Sequence, residues 1–420
     1  MAIPRELPLN PRSGIAAERI LAFGSCGFLF LSAFASSAGL RASFLTLCGL
    51  VIAVRWRDSL AIVAARLPRD VAIAGGAWIA ICAASLAWSV DPAYTAGEIK
   101  PELGYGVLAF LVFFVAAAAD RARWPKWWAF ALAGTALAFA GRLLQDFGPF
   151  ALEQHEVDAG AGPYSTHLVL LLPLVFALDW PPPWGRGARM RALALALCLF
   201  LAAAWYTGNR IVWIAFGAQL MVAIATWGKV SATPRERAVM LRRLAVIAAV
   251  AFAVAFAASV AERYQRNLLH DTGVPAGLEH DLRPKLWETA WGAFREAPWL
   301  GHGFGREVLA STFSPLTPKG VNHPEIRHAH DTLIDVALQV GMLGLAAFIA
   351  LLLALARHYA AMLRDAELAP LGIMGLALVV GFVVKNVTDD FLHRQNALVF
   401  WALNAMLLGL ARSRPAAAPP

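Results

Sequence analysis

The apolar run TLIDVALQVGMLGLAAFIALLLALA at residues 332–356 decides the class of this protein. Asp335 is its one charged residue, and about 20 predominantly apolar residues suffice for a helix to cross the hydrocarbon core of a bilayer. The run therefore predicts a transmembrane helix. Directly before it lies RHAHD, residues 327–331, which places an arginine, two histidines and an aspartate at the mouth of that helix.

The composition of the whole chain supports a membrane protein. Of its 420 residues, 59% are hydrophobic and 15% are charged, with a mean hydropathy of +0.59, outside the usual range of soluble domains. Apolar runs recur along the chain, and they predict an all-α polytopic protein with about twelve transmembrane helices. The predicted spans are 19–40, 42–55, 71–89, 103–119, 127–145, 165–179, 190–206, 209–228, 242–260, 331–356, 369–386 and 391–411.

The placement of lysine and arginine predicts the orientation, because cytoplasmic loops carry an excess of both. With both termini inside, the inner segments hold 22 of the 36 basic residues and the short outer segments hold 6. The same bias accounts for most of the net charge of +8, so no nucleic-acid partner is needed to explain it. We expect a multi-pass membrane protein with both termini cytoplasmic, surrounded by membrane lipids.

The predicted spans divide the chain into four parts. Helices one to nine occupy residues 1–260, a large outer loop occupies 261–330, helices ten to twelve occupy 331–411, and 412–420 form a cytoplasmic tail. An ordered loop of this length is uncommon and is often functional. The four cysteines, Cys26, Cys48, Cys82 and Cys198, fall inside apolar segments, which favours buried free thiols.

The large loop contains RPKLWETAWGAFREAPWLGHGFG, residues 283–305. Leu286 or Trp287 followed by Ala290, Trp291 and Phe294 has the spacing of an amphipathic helix at a membrane surface. Pro284 suits the first helical position, which puts Arg283 just before the helix, beside free N–H groups that favour an anion. GHGFG is either a phosphate-binding loop or a turn that closes the helix.

A second arginine, Arg210 in YTGNR, follows predicted helix seven in a very short outer connection. An ionisable group near the membrane boundary either points into a functional cavity or extends towards lipid headgroups. The sequence leaves both interpretations open.

The histidines at 328 and 330 end the loop that contains Arg283. Asp331 and Thr332 are good helix-start residues, and Asp331, Asp335 and Gln339 follow at i+4 steps, so they form one polar stripe facing the bundle interior. The positive end of the helix disfavours an imidazolium, which keeps a histidine neutral and able to accept a proton. His330, adjacent to the helix, is then a candidate general base, with His328 as the alternative.

The polar residues near this helix start also fit several alternative roles. The histidines are hydrated at the interface, or they bind a metal through His-x-His, although no further ligand has recognisable metal spacing. Asp331 and Asp335 instead serve ion coupling if the protein is a secondary transporter. Asp389 and Asp390, in KNVTDDFLHRQ, bind sugar hydroxyls or lie in an ordinary exposed loop. Trp287 and Trp291 line an entry path or anchor the helix in the membrane belt.

TGNR, RPKLWETAWGAFREAPWLGHGFG and HAHDTLIDVALQVGMLGL together resemble the bacterial lipopolysaccharide O-antigen ligases and polymerases, with the related O-linked oligosaccharyltransferases. The resemblance covers most of the chain, and twelve helices with a large loop between helices nine and ten look most like the ligase. This resemblance implies an inverting, metal-independent glycosyltransferase without a cofactor. Its substrates would be undecaprenyl-pyrophosphate-linked O-antigen and the lipid A-core oligosaccharide, with the site facing the periplasm.

The resemblance also implies residue roles. Arg210 and Arg283 correspond to the arginines that hold the pyrophosphate, and His330 corresponds to the histidine before the loop-to-helix junction. The family often has Asn where this chain has Asp331, a departure that affects hydrogen bonding there. A polymerase of the same superfamily would extend lipid-linked glycan instead of glycosylating lipid A-core, and a transporter would show repeat-related helices broken at mid-membrane.

Overall fold

The computed structural model describes residues 11–119, 124–147, 161–176, 186–230, 282–317 and 326–412, with positions 253 and 257 besides. Within these ranges the fold is helical, with no strand. The helices are α1 (Pro11–Leu31), α2 (Ala38–Val54), α3 (Trp56–Arg66), α4 (Arg69–Ala84), α5 (Pro92–Glu98), α6 (Tyr105–Ala119), α7 (Trp124–Phe147), α8 (Ala161–Val175), α9 (Arg186–Tyr206), α10 (Arg210–Val230), α11 (Arg283–Glu296), α12 (Ala310–Phe313), α13 (Thr332–Met362), α14 (Ala369–Lys385) and α15 (Arg394–Arg412).

Eleven of the twelve predicted spans overlap a described helix, with ends that differ by several residues in places; the ninth, 242–260, lies almost wholly outside the described residues. Within the described ranges, four helical segments are long and apolar enough to cross a membrane: Arg69–Ala87, Pro92–Ala119, Pro125–Leu144 and Thr332–Met362. The pair Ala38–Val54 and Trp56–Arg66, bent by 93°, gives a fifth if it is one span. Shorter apolar helices include Gly162–Val175, Arg210–Thr226 and Ala369–Lys385.

The first hairpin turns earlier than the sequence predicted. Helix α1 ends at Leu31, not at residue 40, and α2 begins at Ala38, so Arg41 lies within α2. The Ser37 hydroxyl donates to the carbonyl of Leu31 (2.9 Å), and the Arg41 guanidinium donates to the Phe34 carbonyl and the Ser37 hydroxyl. These side chains satisfy the carbonyl groups left free at the end of a helix, so the chain can turn within the apolar run.

Two further helical segments were not predicted. Residues 56–66, assigned to an inner loop, form α3, and α5 continues through a π-helical turn, Ile99–Gly104, into α6. The side chain of Asp91 caps α5 by accepting from the Tyr94 N–H (2.9 Å). Cys198 was expected to be buried but is exposed on α9, whereas Cys26, Cys48 and Cys82 are buried.

Helix α13 is broken one third of the way along its length. Val340 and Gly341 have non-helical backbone angles, and residues 298–303 pack against this break. The N–H groups of His302 and Gly303 donate to the carbonyls of Leu338 and Gln339 (both 2.9 Å), and the Met342 N–H donates to the Pro298 carbonyl (2.9 Å). The loop thus satisfies the backbone groups that the break leaves without helical partners.

Candidate functional site at the start of helix α13

Helix α13 begins where the sequence predicted. Asp331 is its N-cap, and its carboxylate accepts from the N–H groups of Leu333 (2.8 Å) and Ile334 (3.0 Å). The cap requires one side-chain oxygen, which Asp and Asn both supply. The departure from the asparagine that is frequent at this position in the resembled family therefore leaves the cap intact.

His330 precedes this cap in a left-handed backbone conformation, with φ +55°, and its side chain is half-buried. Its N–H donates to Nδ1 of His328 (3.2 Å), and the two imidazole rings lie 4.1 Å apart between centroids. His328 is buried and packs against one side of the His330 ring. His330 is only half-buried, so part of its ring is accessible.

Both imidazoles are held neutral at pH 7. Burial lowers the pKa of His330 to about 4, and the neighbouring His328 and the Arg283 guanidinium act in the same direction. Burial likewise lowers the pKa of His328 to about 4, helped by Arg306. The predicted neutrality agrees with these shifts, but their largest cause is desolvation, where the sequence argument relied on the helix dipole.

The polar stripe of α13 is buried, as predicted: Asp331, Asp335 and Gln339 are each less than one tenth exposed. Oδ1 of Asp335 accepts from the Ala329 N–H (2.9 Å), and its Oδ2 lies 3.4 Å from Nδ1 of His328. Asp335 thereby fixes the backbone between the two histidines.

Asp389 and Asp390 lie beside the stripe, and the interpretation of both as an ordinary exposed loop is wrong for Asp390. Asp390 is buried and accepts from the Thr332 hydroxyl (2.9 Å). Asp389 pairs with the buried ammonium of Lys385. Burial and the nearby Asp335 raise the pKa of Asp390.

Arg306 completes this group, and the sequence analysis did not single it out. Its Nη1 donates to the Asp390 carbonyl (3.0 Å), and its Nη2 lies 3.6 Å from Glu307. Its Nε is buried without a hydrogen-bond partner in the part of the chain that the structure describes. We call His328, His330, Asp335, Asp390 and Arg306 the junction cluster. The signal for Arg306 was its position directly after GHGFG.

Helix α11 lies against the junction cluster. It begins at Arg283 with Pro284 second, so Arg283 is the first helical residue and not the one before the helix. The Trp287 indole donates to the Ala329 carbonyl (3.2 Å), which ties α11 to the histidine segment. The face that packs against the protein is Leu286, Ala290 and Ala293, and Trp291, which the sequence placed on a membrane-facing surface, is 59% exposed.

Arg210 is the first residue of α10 and is exposed. The preceding Asn209 donates to the Ser165 hydroxyl at the start of α8 (3.1 Å). Three residues earlier on α8, Gly162 packs against the ring of Phe391, next to Asp390. Arg210 therefore lies at the same end of the bundle as the junction cluster, on a different helix, and the described contacts do not place it within the cluster.

GHGFG is a turn; the phosphate-loop interpretation is wrong. Gly301, Gly303 and Gly305 all have positive φ, which only glycine adopts readily. The N–H groups of His302 and Gly303 are bonded to α13, and that of Gly305 donates to Oε1 of Gln339 (2.9 Å). The Phe304 N–H donates to Ser85 (2.8 Å). A phosphate would find these donors already engaged.

Among the residues that the structure describes, two groups of side chains have the spacing to hold a metal ion. Ligand atoms of His328, Asp335 and Asp390 lie within 4.8 Å of one another, as do those of Glu98, Glu102 and His393. In each group an arginine already compensates carboxylate charge. Arg306 accompanies the first, and Arg394 pairs with Glu98 (2.7 Å) in the second. Neither group was foreseen, because the residues come from separate segments of the chain.

Residues 193–349 match the family described as O-antigen ligase. The matched segment contains Arg210, Arg283 and His330, so it confirms the resemblance to the O-antigen ligase and polymerase superfamily. No curated protein matches the chain.

Proposed function

We propose, on the premise that this chain is a member of the O-antigen ligase and polymerase superfamily, that it is an O-antigen ligase of the bacterial inner membrane. It transfers the O-antigen glycan from undecaprenyl pyrophosphate to a sugar hydroxyl of lipid A-core oligosaccharide. The bias of basic residues supports cytoplasmic termini and a junction cluster that faces the periplasm, where the sugars of both lipids react.

His330 is the general base in this proposal, and its geometry is the observation that carries the function. It is neutral, half-buried and beside an anchored helix start. Nε2 or Nδ1 of its ring takes the proton of the acceptor hydroxyl as the oxygen attacks the anomeric carbon. A positioned base of this kind contributes roughly 10²- to 10⁴-fold to the rate.

The leaving group is the lipid pyrophosphate. As the new glycosidic bond forms, the bond from the anomeric carbon to the pyrophosphate oxygen breaks, and its electron pair leaves with the pyrophosphate. Attack from the opposite face inverts the anomeric centre. Arg283, whose charge acts on His330, and Arg210 at the same end of the bundle are the cations proposed to bind the pyrophosphate, because guanidinium groups bind phosphate oxygens bidentately.

The test is transfer by the purified protein from undecaprenyl-pyrophosphate glycan to lipid A-core, with EDTA present. Arg283→Ala should lower the rate by roughly 10²- to 10³-fold, the cost of removing one donor that stabilises developing charge. Arg295→Ala, on the exposed last turn of the same helix, is the matched control and should stay near wild type. Size exclusion checks folding.

Three contrary outcomes each have a definite meaning. Growth of longer lipid-linked chains without glycosylation of lipid A-core would assign the protein to the polymerases. Activity that EDTA abolishes and a divalent cation restores would point to a metal at His328, Asp335 and Asp390. Equal activity of Arg283→Ala and Arg295→Ala would remove Arg283 from the site.

The pH dependence of the rate follows from the lowered pKa of His330. The neutral imidazole is the active form and predominates above its pKa, so kcat/KM should be constant from about pH 6 to 8 and fall with a midpoint at about pH 4. A bound pyrophosphate favours the imidazolium and raises that pKa. The acid limb of kcat should therefore lie at higher pH than that of kcat/KM. If the acid limbs of kcat and kcat/KM coincided near pH 6.5, the ordinary pKa of histidine, the base would not be a buried histidine.

A further inference from the structure

Two adjoining cavities connect the apolar flank of the bundle with the junction cluster. The larger, of about 260 Å³, lies between α4, α6, α13 and α15, and Glu102 is its only charged lining residue. The smaller, of about 40 Å³, is lined by Arg306, Asp390 and His393 among others. We call the larger one the apolar groove. It shares four lining residues with the smaller cavity: Trp78, Glu102, Leu103 and Trp401.

The apolar groove follows α4 from Leu67, just before the helix begins, to Ile79. At 1.5 Å per helical residue this stretch extends roughly 18 Å. The groove therefore runs from one end of the transmembrane segment Arg69–Ala87 towards the end that carries the junction cluster. If a flexible hydrocarbon chain lay in this groove, the polar headgroup attached to it would reach the smaller cavity.

Glu102, where the two cavities meet, does not present a bare negative charge. It accepts hydrogen bonds from the Arg394 N–H (3.0 Å), and Arg394 Nε and His393 Nδ1 lie 3.3 Å and 3.1 Å from it. The adjacent Glu98 pairs with the same arginine (2.7 Å). Because Arg394 offsets part of the negative charge of these carboxylates, the repulsion that an anionic head meets at this point is reduced.

Arg306 is the cation at the polar end. It lines the smaller cavity, and its buried Nε lacks a hydrogen-bond partner among the described residues. A buried charged donor left without a partner is costly and needs an explanation, of which an absent anion is one. Guanidinium groups bind phosphate oxygens, like carboxylate oxygens, through strong and often bidentate hydrogen bonds.

We propose that the apolar groove binds the prenyl chain of a polyprenyl diphosphate, and that Arg306 binds its diphosphate. The proposal rests on the function proposed above, since that function supplies an isoprenoid donor. It adds a place for the chain and a third arginine. A chain held along α4 would deliver its diphosphate beside the histidines from within the membrane.

Gly76 gives a sharp test, because it lines the apolar groove and a Cβ there meets nothing within 4 Å. Gly76→Leu would add an isobutyl group at the wall of the groove, where its first carbon meets no protein atom. Gly141→Leu on α7 is the matched control, since Gly141 is also an exposed helical glycine with open space at its Cβ and does not line the groove. Both substitutions exchange glycine for a better helix former.

The measurement is equilibrium binding of undecaprenyl diphosphate and of inorganic diphosphate to the full-length protein in phosphatidylcholine nanodiscs. Gly76→Leu should lower the affinity for undecaprenyl diphosphate at least tenfold and leave the affinity for inorganic diphosphate unchanged. Gly141→Leu should change neither affinity. Arg306→Gln should lower the affinity for both ligands at least tenfold. Arg295→Gln, at an exposed position, should lower neither affinity.

Three results would overturn the proposal. If Gly76→Leu and Gly141→Leu bound undecaprenyl diphosphate with equal affinity, the prenyl chain would not bind in the apolar groove. If Arg306→Gln bound diphosphate as the wild type does, Arg306 would not bind the diphosphate. Displacement of undecaprenyl diphosphate by an equal concentration of phosphatidylglycerol would make the groove a site for ordinary lipid. Binding without transfer to lipid A-core would instead contradict the proposed function and leave this inference standing.

Discussion

Replacement of His330 by asparagine should lower glycan transfer to lipid A-core by roughly 10²- to 10⁴-fold, the usual contribution of a positioned general base. Asparagine is the informative substitution because His330 has φ +55°, and Asn tolerates the left-handed region better than most residues. The variant keeps the backbone and a polar side chain but loses the group that accepts a proton. The measurement is single-turnover transfer with saturating donor.

His328→Asn separates the two histidines. His328 is buried, accepts the His330 N–H and lies against Asp335, so its loss should reduce the rate by disturbing the position of His330. Added imidazole should partly restore activity to His330→Gly, whose glycine leaves an accessible space, and should not restore His328→Gly. Transfer at the wild-type rate by folded His330→Asn would eliminate the proposed base.

Local sequence signals predicted the start of α13 and the neutrality of its histidines. Asp331 and Thr332 are a helix-start pair, and the cap forms as expected. The amphipathic helix after Arg283 was also found; the face that packs against the protein is Leu286, Ala290 and Ala293, and Trp291 stays exposed. Periodicity identifies a helix, whereas its neighbours decide which of two adjacent faces is buried.

The remaining part of the site depends on contacts between distant segments. Arg306 reaches Asp390 across 84 positions of the chain, and Lys385 is buried because Asp389 compensates its charge. Spacing along the sequence has no bearing on such pairs. The turn between α1 and α2 was misplaced for a related reason: Arg41 and Ser37 satisfy helix-end carbonyls inside an apolar run, so hydropathy alone gives no signal there.

The glycines of the large loop have a structural role that the sequence did not predict. Positive φ at Gly301, Gly303 and Gly305 lets the chain fold into the break of α13, and this break resembles the interrupted helices expected of a transporter. In the transporter interpretation the free backbone groups line an ion site. Here the N–H groups of the loop occupy the carbonyls of Leu338 and Gln339, which supports a structural role for the break.

Gly341→Ala should destabilise the protein by roughly 2–6 kcal/mol. Gly341 has φ +64°, and a Cβ there would lie 2.3 Å from the carbonyl carbon of Trp299. Forcing alanine into this backbone conformation (φ +64°, ψ −170°), which essentially only glycine adopts, costs about 1–3 kcal/mol, and overpacking adds about 1–3 kcal/mol. Residues 298–305 would shift away from the break and carry Arg306 with them, so both the midpoint of thermal inactivation and the transfer rate should fall.

Gly292→Ala is the matched control, because Gly292 lies on α11 and a Cβ there meets nothing within 4 Å. It should leave the inactivation midpoint unchanged or slightly raised, since alanine favours the helix and restricts the unfolded chain. If Gly341→Ala and Gly292→Ala inactivated at the same temperature, the loop would not be seated in the break of α13. Contacts other than those between the loop and the break of α13 would then have to hold Arg306 beside the histidines.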